Sequence, residues 1–175
     1  MTGAAEAILL AGVLMGKASG ALPDRLTKAG KTNLPPVSIA IPAKVIRIID
    51  GDTIVVVTKS GKMRVRLAGI DAPEVGQPGG LASKFVLATA IAGKPIVVIP
   101  RAKDKHDRVV ADILSRKMVW LNPVIVCGGW AWASRIEVNF DILDCERVAK
   151  ANRLGIWAQG LRQTPPWKWR KEGSR

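Results

Sequence analysis

The sequence has no tyrosine, one histidine, two phenylalanines and two cysteines, and it sets only 14 acidic residues against 27 lysines and arginines. Two cysteines, Cys127 and Cys145, are too few for a disulfide scaffold, and their spacing matches no zinc-ligand pattern. Either they pair, closing a loop between two predicted helices, or they are two small buried residues on helix faces. The apolar stretch over residues 4–15 is shorter than the ~20 residues a transmembrane helix needs, so no stable membrane span is expected. The stretch leads into Gly16-Lys17-Ala18-Ser19-Gly20-Ala21, small residues that suit signal-peptidase cleavage near Ala18 or Ala21. No lysine or arginine precedes it, however, and Glu6 interrupts its start. A secreted or periplasmic protein with a signal peptide over residues 1–21 and a cytoplasmic one with a plain disordered arm or a misassigned start both remain open.

The abundance of basic residues is the next signal. A net charge of +13 and a pI near 10.4 make a polyanion the default partner, nucleic acid first and an anionic membrane surface second. At 175 residues and 48% hydrophobic content the chain suits one domain with a real core. Several of its few acids gather in two turns, and a carboxylate cluster inside a basic protein is best explained by a bound cation.

Residues 1–43 read as an arm, residues 44–159 as the folded domain and residues 160–175 as a basic tail rich in proline and tryptophan. Residues 44–49 and 53–57 are β-branched runs split by Asp50-Gly51, which predicts a hairpin. In residues 63–70, Met63, Val65 and Leu67 alternate with Arg64, Arg66 and Ala68, so one face is apolar and both arginines lie on the other. Residues 81–92 predict a helix with apolar positions at Leu81, Phe85, Ala88 and Ala92 and a stop at Gly93-Lys94-Pro95. Short strands follow at 96–99 and 109–114. Asn122-Pro123 predicts an N-cap and first turn for a second helix, and residues 141–153 a third. Five strands with about three helices fit a small Greek-key barrel of mixed α+β class, mainly β; the strand count alone leaves several such barrels open.

The informative segment is Ile49-Asp50-Gly51-Asp52-Thr53, then Arg66-Leu67, then Asp71-Ala72-Pro73-Glu74, with Arg108 at the start of a late strand. Each piece alone is weak, because Asp-Gly turns and Arg-Leu strands are common. Together, the first three in this order within about 25 residues and Arg108 following, they supply metal ligands, a carboxylate base and cations. Over residues 44–157 the pattern resembles the staphylococcal nuclease (thermonuclease) family. That resemblance implies an OB-fold barrel, a Ca2+ cofactor, and hydrolysis of DNA and RNA to 3′-phosphate ends. It assigns Asp52, Asp71 and the Ala72 carbonyl to the metal, with Asp50 and Thr53 beside that shell. It assigns Glu74 to the attacking water, and Arg66 and Arg108 to the phosphate. Arg66 is chosen over Arg64 because the family's arginine stands five residues before the aspartate.

Where the family usually has Tyr-Gly-Arg, this chain reads His106-Asp107-Arg108. Lys105 and His106 are candidate replacements for the phenol as phosphate donors, and Asp107 is placed to pair with Arg108 and restrain it. Trp130, Trp132 and Arg135 are further candidate substrate contacts, the indoles as stacking platforms that favour single strands. The tail Pro165-Pro166-Trp167-Lys168-Trp169-Arg170-Lys171 resembles the Pro-Trp-x-Trp-Arg endings of bacterial relatives; it either docks on the barrel or extends a strand-binding surface. A monomeric nuclease is the leading expectation. A catalytically silent OB module that binds nucleic acid or a protein is the rival.

Overall fold

Asp50 builds the first turn. Its Oδ1 accepts from the Asp52 backbone N–H at 3.0 Å, an Asx turn that reverses the chain between β1 (Ile41–Ile48) and β2 (Thr53–Thr58). The two strands pair antiparallel with Ile48 opposite Ile54, the hairpin read from the sequence. β2 then pairs with β3 (Gly61–Leu67), placing Thr53 opposite Arg66. The predicted alternation holds, since Val65 and Leu67 are buried while Arg64 and Arg66 face out of the barrel.

This computed structural model describes residues 39–159 and 163–173, so the signal-peptide reading over residues 1–21 lies outside the described residues. β5 (Pro95–Lys103) and β6 (Val109–Ser115) complete a closed barrel in the order β1-β2-β3-β6-β5, with β3 and β6 parallel. That is the expected five-stranded OB barrel. β5 runs past its predicted end at residue 99 because a register shift between Pro100 and Ala102 absorbs the irregularity. Outside the barrel, β4 (Ile70–Asp71) pairs with β7 (Trp132–Ala133), setting Asp71 opposite Trp132.

The helices differ from the sequence reading in three ways. α1 (Gly80–Ile91) buries Ser83, Val86, Leu87, Ala90 and Ile91, whereas Leu81 and Phe85 are 67% and 72% exposed. The stripe through Leu81 and Phe85 is therefore the outer face. In α2 (Leu121–Cys127), Trp120 is the capping residue and Asn122 lies inside the first turn, fully buried. Asn122 Oδ1 accepts from Ile113 N at 2.9 Å, and its Nδ2 donates to Ala68 O at 2.9 Å and Ala111 O at 3.2 Å. It clamps the helix to the barrel rather than capping it. α3 (Phe140–Ala151) is capped by Asn139, whose side chain accepts from Asp141 N and Ile142 N. A 3-10 helix (Gly155–Gln159) follows, and the tail forms a fourth α-helix among the described residues, α4 (Pro166–Glu172), with Pro166 in its first turn where proline fits.

A disulfide between Cys127 and Cys145 ties the end of α2 to α3, which settles the pairing left open by the sequence. One continuous core fills the barrel and runs beneath α2, α3 and the 3-10 helix to Trp157. No helix among the described residues is long and apolar enough to cross a membrane. Asn122→Ala would strand the buried Ile113 N–H and Ala68 carbonyl, so a loss of about 1–3 kcal/mol is expected in urea unfolding.

Candidate active site

Three backbone segments converge on Arg66. The β1–β2 turn brings Asp52, which is 3% exposed; β3 brings Arg66; and the β4–β7 ladder fixes Asp71, which is 6% exposed. Arg66 Nη1 donates to Asp52 Oδ1 at 2.7 Å, and its Nη2 donates to Asp71 Oδ1 at 3.1 Å and to the Ile70 carbonyl at 3.3 Å. Asp52 is oriented further by the Ala72 N–H, donating to Oδ2 at 2.8 Å, and by the Thr53 hydroxyl, donating to Oδ1 at 2.9 Å. Gly51 permits this packing, since a Cβ there would meet Ser83 Oγ at 1.9 Å and the Ala72 Cβ at 2.8 Å.

These residues open into a cleft of ≈ 730 Å³ that also takes in Asp50, Arg64, Glu74, Lys105, His106, Arg108 and Arg170. Asp50, Asp52, Arg66, Ala72, Glu74, Lys105, His106 and Arg108 are thus gathered on one cleft, with Asp71 bonded to Arg66 at its edge. Thr53 is fully buried against Asp52, and the three remaining candidates lie elsewhere. Trp132 is 3% exposed and packs edge-on against Trp157, with ring centroids 4.9 Å apart. Trp130 is half-buried and its carbonyl accepts from Ser83 Oγ at 2.7 Å. The Arg135 guanidinium stacks over Trp167 at 4.2 Å, beside a second cleft of ≈ 570 Å³.

Burial pushes the Asp52 carboxyl up to about 7; Arg66 opposes this, while Asp50 and Asp71 add to it. Burial also works against the charge on Arg66, but Asp52 and Asp71 outweigh it and raise its pKa above the ordinary guanidinium value. Negative charge collected at this depth needs a cation nearby. Among the described residues no three His, Cys, Asp or Glu side chains form a ready-made metal cage. Guanidinium groups supply the positive charge instead.

Three participants escaped the sequence reading. Arg108 is restrained by Asp104, not by Asp107: its Nε donates to Asp104 Oδ2 at 2.7 Å, while Asp107 pairs with Lys103. Asp107 has φ 62, a left-handed conformation that explains why a glycine suits this position and turns its side chain away from Arg108. Gln77 is the second. Its Oε1 accepts from the Glu74 N–H at 3.2 Å, and its Nε2 donates to the Thr164 carbonyl, joining the site to the tail. Arg170 is the third: it reaches Glu74 Oε1 at 2.7 Å and Asp71 Oδ2 at 2.8 Å. The Pro-Trp-x-Trp-Arg ending was the signal for it, but nothing in the sequence showed where that ending docks.

A family model described as "Staphylococcal nuclease homologue" matches residues 64–159. The chain belongs to the staphylococcal nuclease family. It is accordingly an enzyme, a phosphodiester hydrolase. A "Micrococcal nuclease" of Shigella flexneri is 32% identical over 150 residues, covering 76% of this chain and 86% of the relative. An "Uncharacterized endonuclease" of Escherichia coli is 30% identical over 137 residues, covering 78% and 89%. The "Probable staphylococcal-like nuclease CAN1" of Oryza sativa subsp. japonica is 33% identical over 112 residues, which is 63% of this chain and 33% of that protein. Within the staphylococcal nuclease family model lie Arg66, Asp71, Glu74 and Arg108; Asp52 and Arg170 fall outside its matched span.

The Asp104 loop provides a pH test. Burial raises the Asp104 pKa, but the Arg108 N–H, the Arg108 side chain and the His106 N–H outweigh it and hold the carboxyl down at about 2. A folded-state value below the ordinary one means stability present above about pH 4 and lost as pH falls through 2. Asp104→Ala is expected to be less stable than wild type in urea unfolding at pH 6, with the gap closing as pH falls from 4 toward 2.

Proposed function

We propose that this nuclease is calcium-dependent, that it cleaves DNA and RNA with single strands favoured, and that it leaves 3′-phosphate ends. One observation carries the reading: Asp52 and Asp71 are brought to a shared guanidinium at the floor of a cleft that also holds Glu74 and Arg108. The donor set fits a hard cation. Asp52, Asp71 and the Ala72 carbonyl offer only oxygen, and calcium takes about six to eight such ligands, with waters completing the shell. When bound there, calcium would polarise a phosphoryl oxygen and lower the pKa of coordinated water.

The chain's own residues do the rest. Asp50 orders the turn that carries Asp52, and Thr53 orients the Asp52 carboxylate through its hydroxyl. Glu74 stands half-exposed on the cleft, where its carboxylate can accept the proton of an attacking water. Arg66 and Arg108 present planar forks to the phosphate and neutralise the charge that grows on its oxygens. Arg108 must first leave Asp104, so substrate phosphate has to outcompete a local carboxylate. Lys105 and His106, exposed on the same cleft, provide donors where the family uses a phenol. A cleft that presents Arg64, Arg66, Lys105 and Arg108 without a recognition helix suits strands rather than duplex grooves, and binding by a chain of net charge +13 should weaken steeply with salt.

All these groups come from one chain, so the reading needs no second copy. The Cys127–Cys145 disulfide supports a secreted or periplasmic location, because such bonds persist in oxidising compartments.

Purified protein is expected to degrade single-stranded DNA with calcium and not with chelator, and Glu74→Gln should lose about 10²–10⁴-fold in kcat while keeping its fold by circular dichroism. Full activity in Glu74→Gln would contradict the assignment, and absence of cleavage under all conditions would favour a binding module. A second expectation concerns pH. With Asp52 protonating at about 7, protons compete with calcium below that value, so calorimetry should show clearly tighter calcium binding at pH 8 than at pH 5.5. Carboxylates with ordinary pKa values would give equal affinities at both.

A further inference from the structure

Arg170 comes from the tail, 96 residues along the chain from Glu74, yet it bonds directly to the carboxylates of Glu74 and Asp71. Its Nη1 donates to Glu74 Oε1 at 2.7 Å and to Asp71 Oδ1 at 3.2 Å, and its Nη2 donates to Asp71 Oδ2 at 2.8 Å. Both Asp71 oxygens are therefore occupied, Oδ1 shared with Arg66 and Oδ2 taken by Arg170. Bidentate guanidinium–carboxylate pairs are among the stronger hydrogen-bonded contacts. The Asp71 and Glu74 bonds raise the Arg170 pKa further above its ordinary value, against the opposing effect of burial.

The tail is docked by contacts that do not involve this guanidinium. Gln77, 4% exposed, donates to the Thr164 carbonyl, Pro166 is buried, and Trp167 sits edge-on to Trp132 at 6.5 Å beneath Arg135. Arg170 can thus leave the carboxylates by turning about its own side chain while the tail stays in place. Arg66 is the more enclosed of the two, with 21% of its side chain exposed against 45% for Arg170.

We propose that Arg170 is a built-in competitor of the divalent cation: it holds Asp71 and Glu74 when the metal is absent, yields them when the metal binds, and thereby sets the metal affinity. This rests on the reading of Asp52 and Asp71 as cation ligands. A cation that takes Asp71 Oδ2 must displace the Arg170 fork, and the same displacement frees Glu74 Oε1 for water. The tail therefore couples metal binding to release of the proton-accepting carboxylate.

The test is calcium calorimetry on the full chain, comparing wild type with Arg170→Ala, Arg170→Gln and Lys171→Ala, each checked for fold by circular dichroism. Lys171→Ala removes the same charge from the neighbouring exposed position. Both Arg170 variants are expected to bind calcium roughly tenfold more tightly, within the range of ordinary site–site coupling, and Lys171→Ala to stay within about twofold of wild type, as for a screened surface charge. In the wild type, the Arg170 Nε–H NMR resonance should shift as calcium is added. Unchanged affinity in the Arg170 variants, an equal gain in Lys171→Ala, or an Arg170 resonance unmoved at saturating calcium would each overturn the proposal while leaving the cation site standing. Calcium binding by neither wild type nor variants would overturn both.

Discussion

Asp52 in the β1–β2 turn and Asp71 in β4 both bond the guanidinium of Arg66, the last polar side chain on β3. Much of the rest of the site follows from this shared contact. The β2–β3 register sets Thr53 opposite Arg66, so Asp52 falls beside the arginine, and the β4–β7 pair holds Asp71 from the other side. A buried ion cluster of this kind adds little net stability, because desolvation offsets most of the attraction, yet removing one partner typically costs about 3–5 kcal/mol. Such an arrangement is better understood as a requirement of chemistry than of folding. The barrel provides the stability, and the cluster draws on it.

Where local chemistry and tertiary role coincide, the sequence was legible. Asp50-Gly51 reads as a turn and is one; Met63, Val65 and Leu67 alternate with Arg64 and Arg66 because one face of β3 lines the core and the other lines the cleft. Where a residue type serves two purposes, the reading failed. Asn122 before Pro123 has the signature of an N-cap, but its amide is used across 54 residues to hold Ala68. Leu81 and Phe85 share a helical stripe with nothing in the sequence to say that Val86, Leu87 and Ala90 face the barrel instead. Asp107 is the neighbour of Arg108 in sequence, but its left-handed backbone turns it toward Lys103 and leaves Arg108 to Asp104.

The half of the site proposed to hold the cation and the attacking water was readable because Asp52, Asp71 and Glu74 lie within about 25 residues at a fixed spacing. Its other half depends on long-range packing. Gln77 linking Glu74 to Thr164, and Arg170 bridging Asp71 and Glu74, arise only when α4 docks against Trp132. Absence of tyrosine leaves His106 and Lys105 on the cleft, while Trp132 is committed to packing with Trp157 and Trp167. Arg66 and Arg108, the arginines proposed to grip the phosphate, are already engaged by the chain's own carboxylates, Arg66 by Asp52 and Asp71 and Arg108 by Asp104.

The central claim is that the paired carboxylates around Arg66 form a calcium site. Anomalous diffraction from a calcium-soaked crystal tests it most directly. The account predicts a calcium peak about 2.3–2.6 Å from oxygens of both Asp52 and Asp71, with Arg66 still beside them. Peaks confined to other parts of the surface, with Asp52 and Asp71 still bonded only to guanidinium groups, would contradict it.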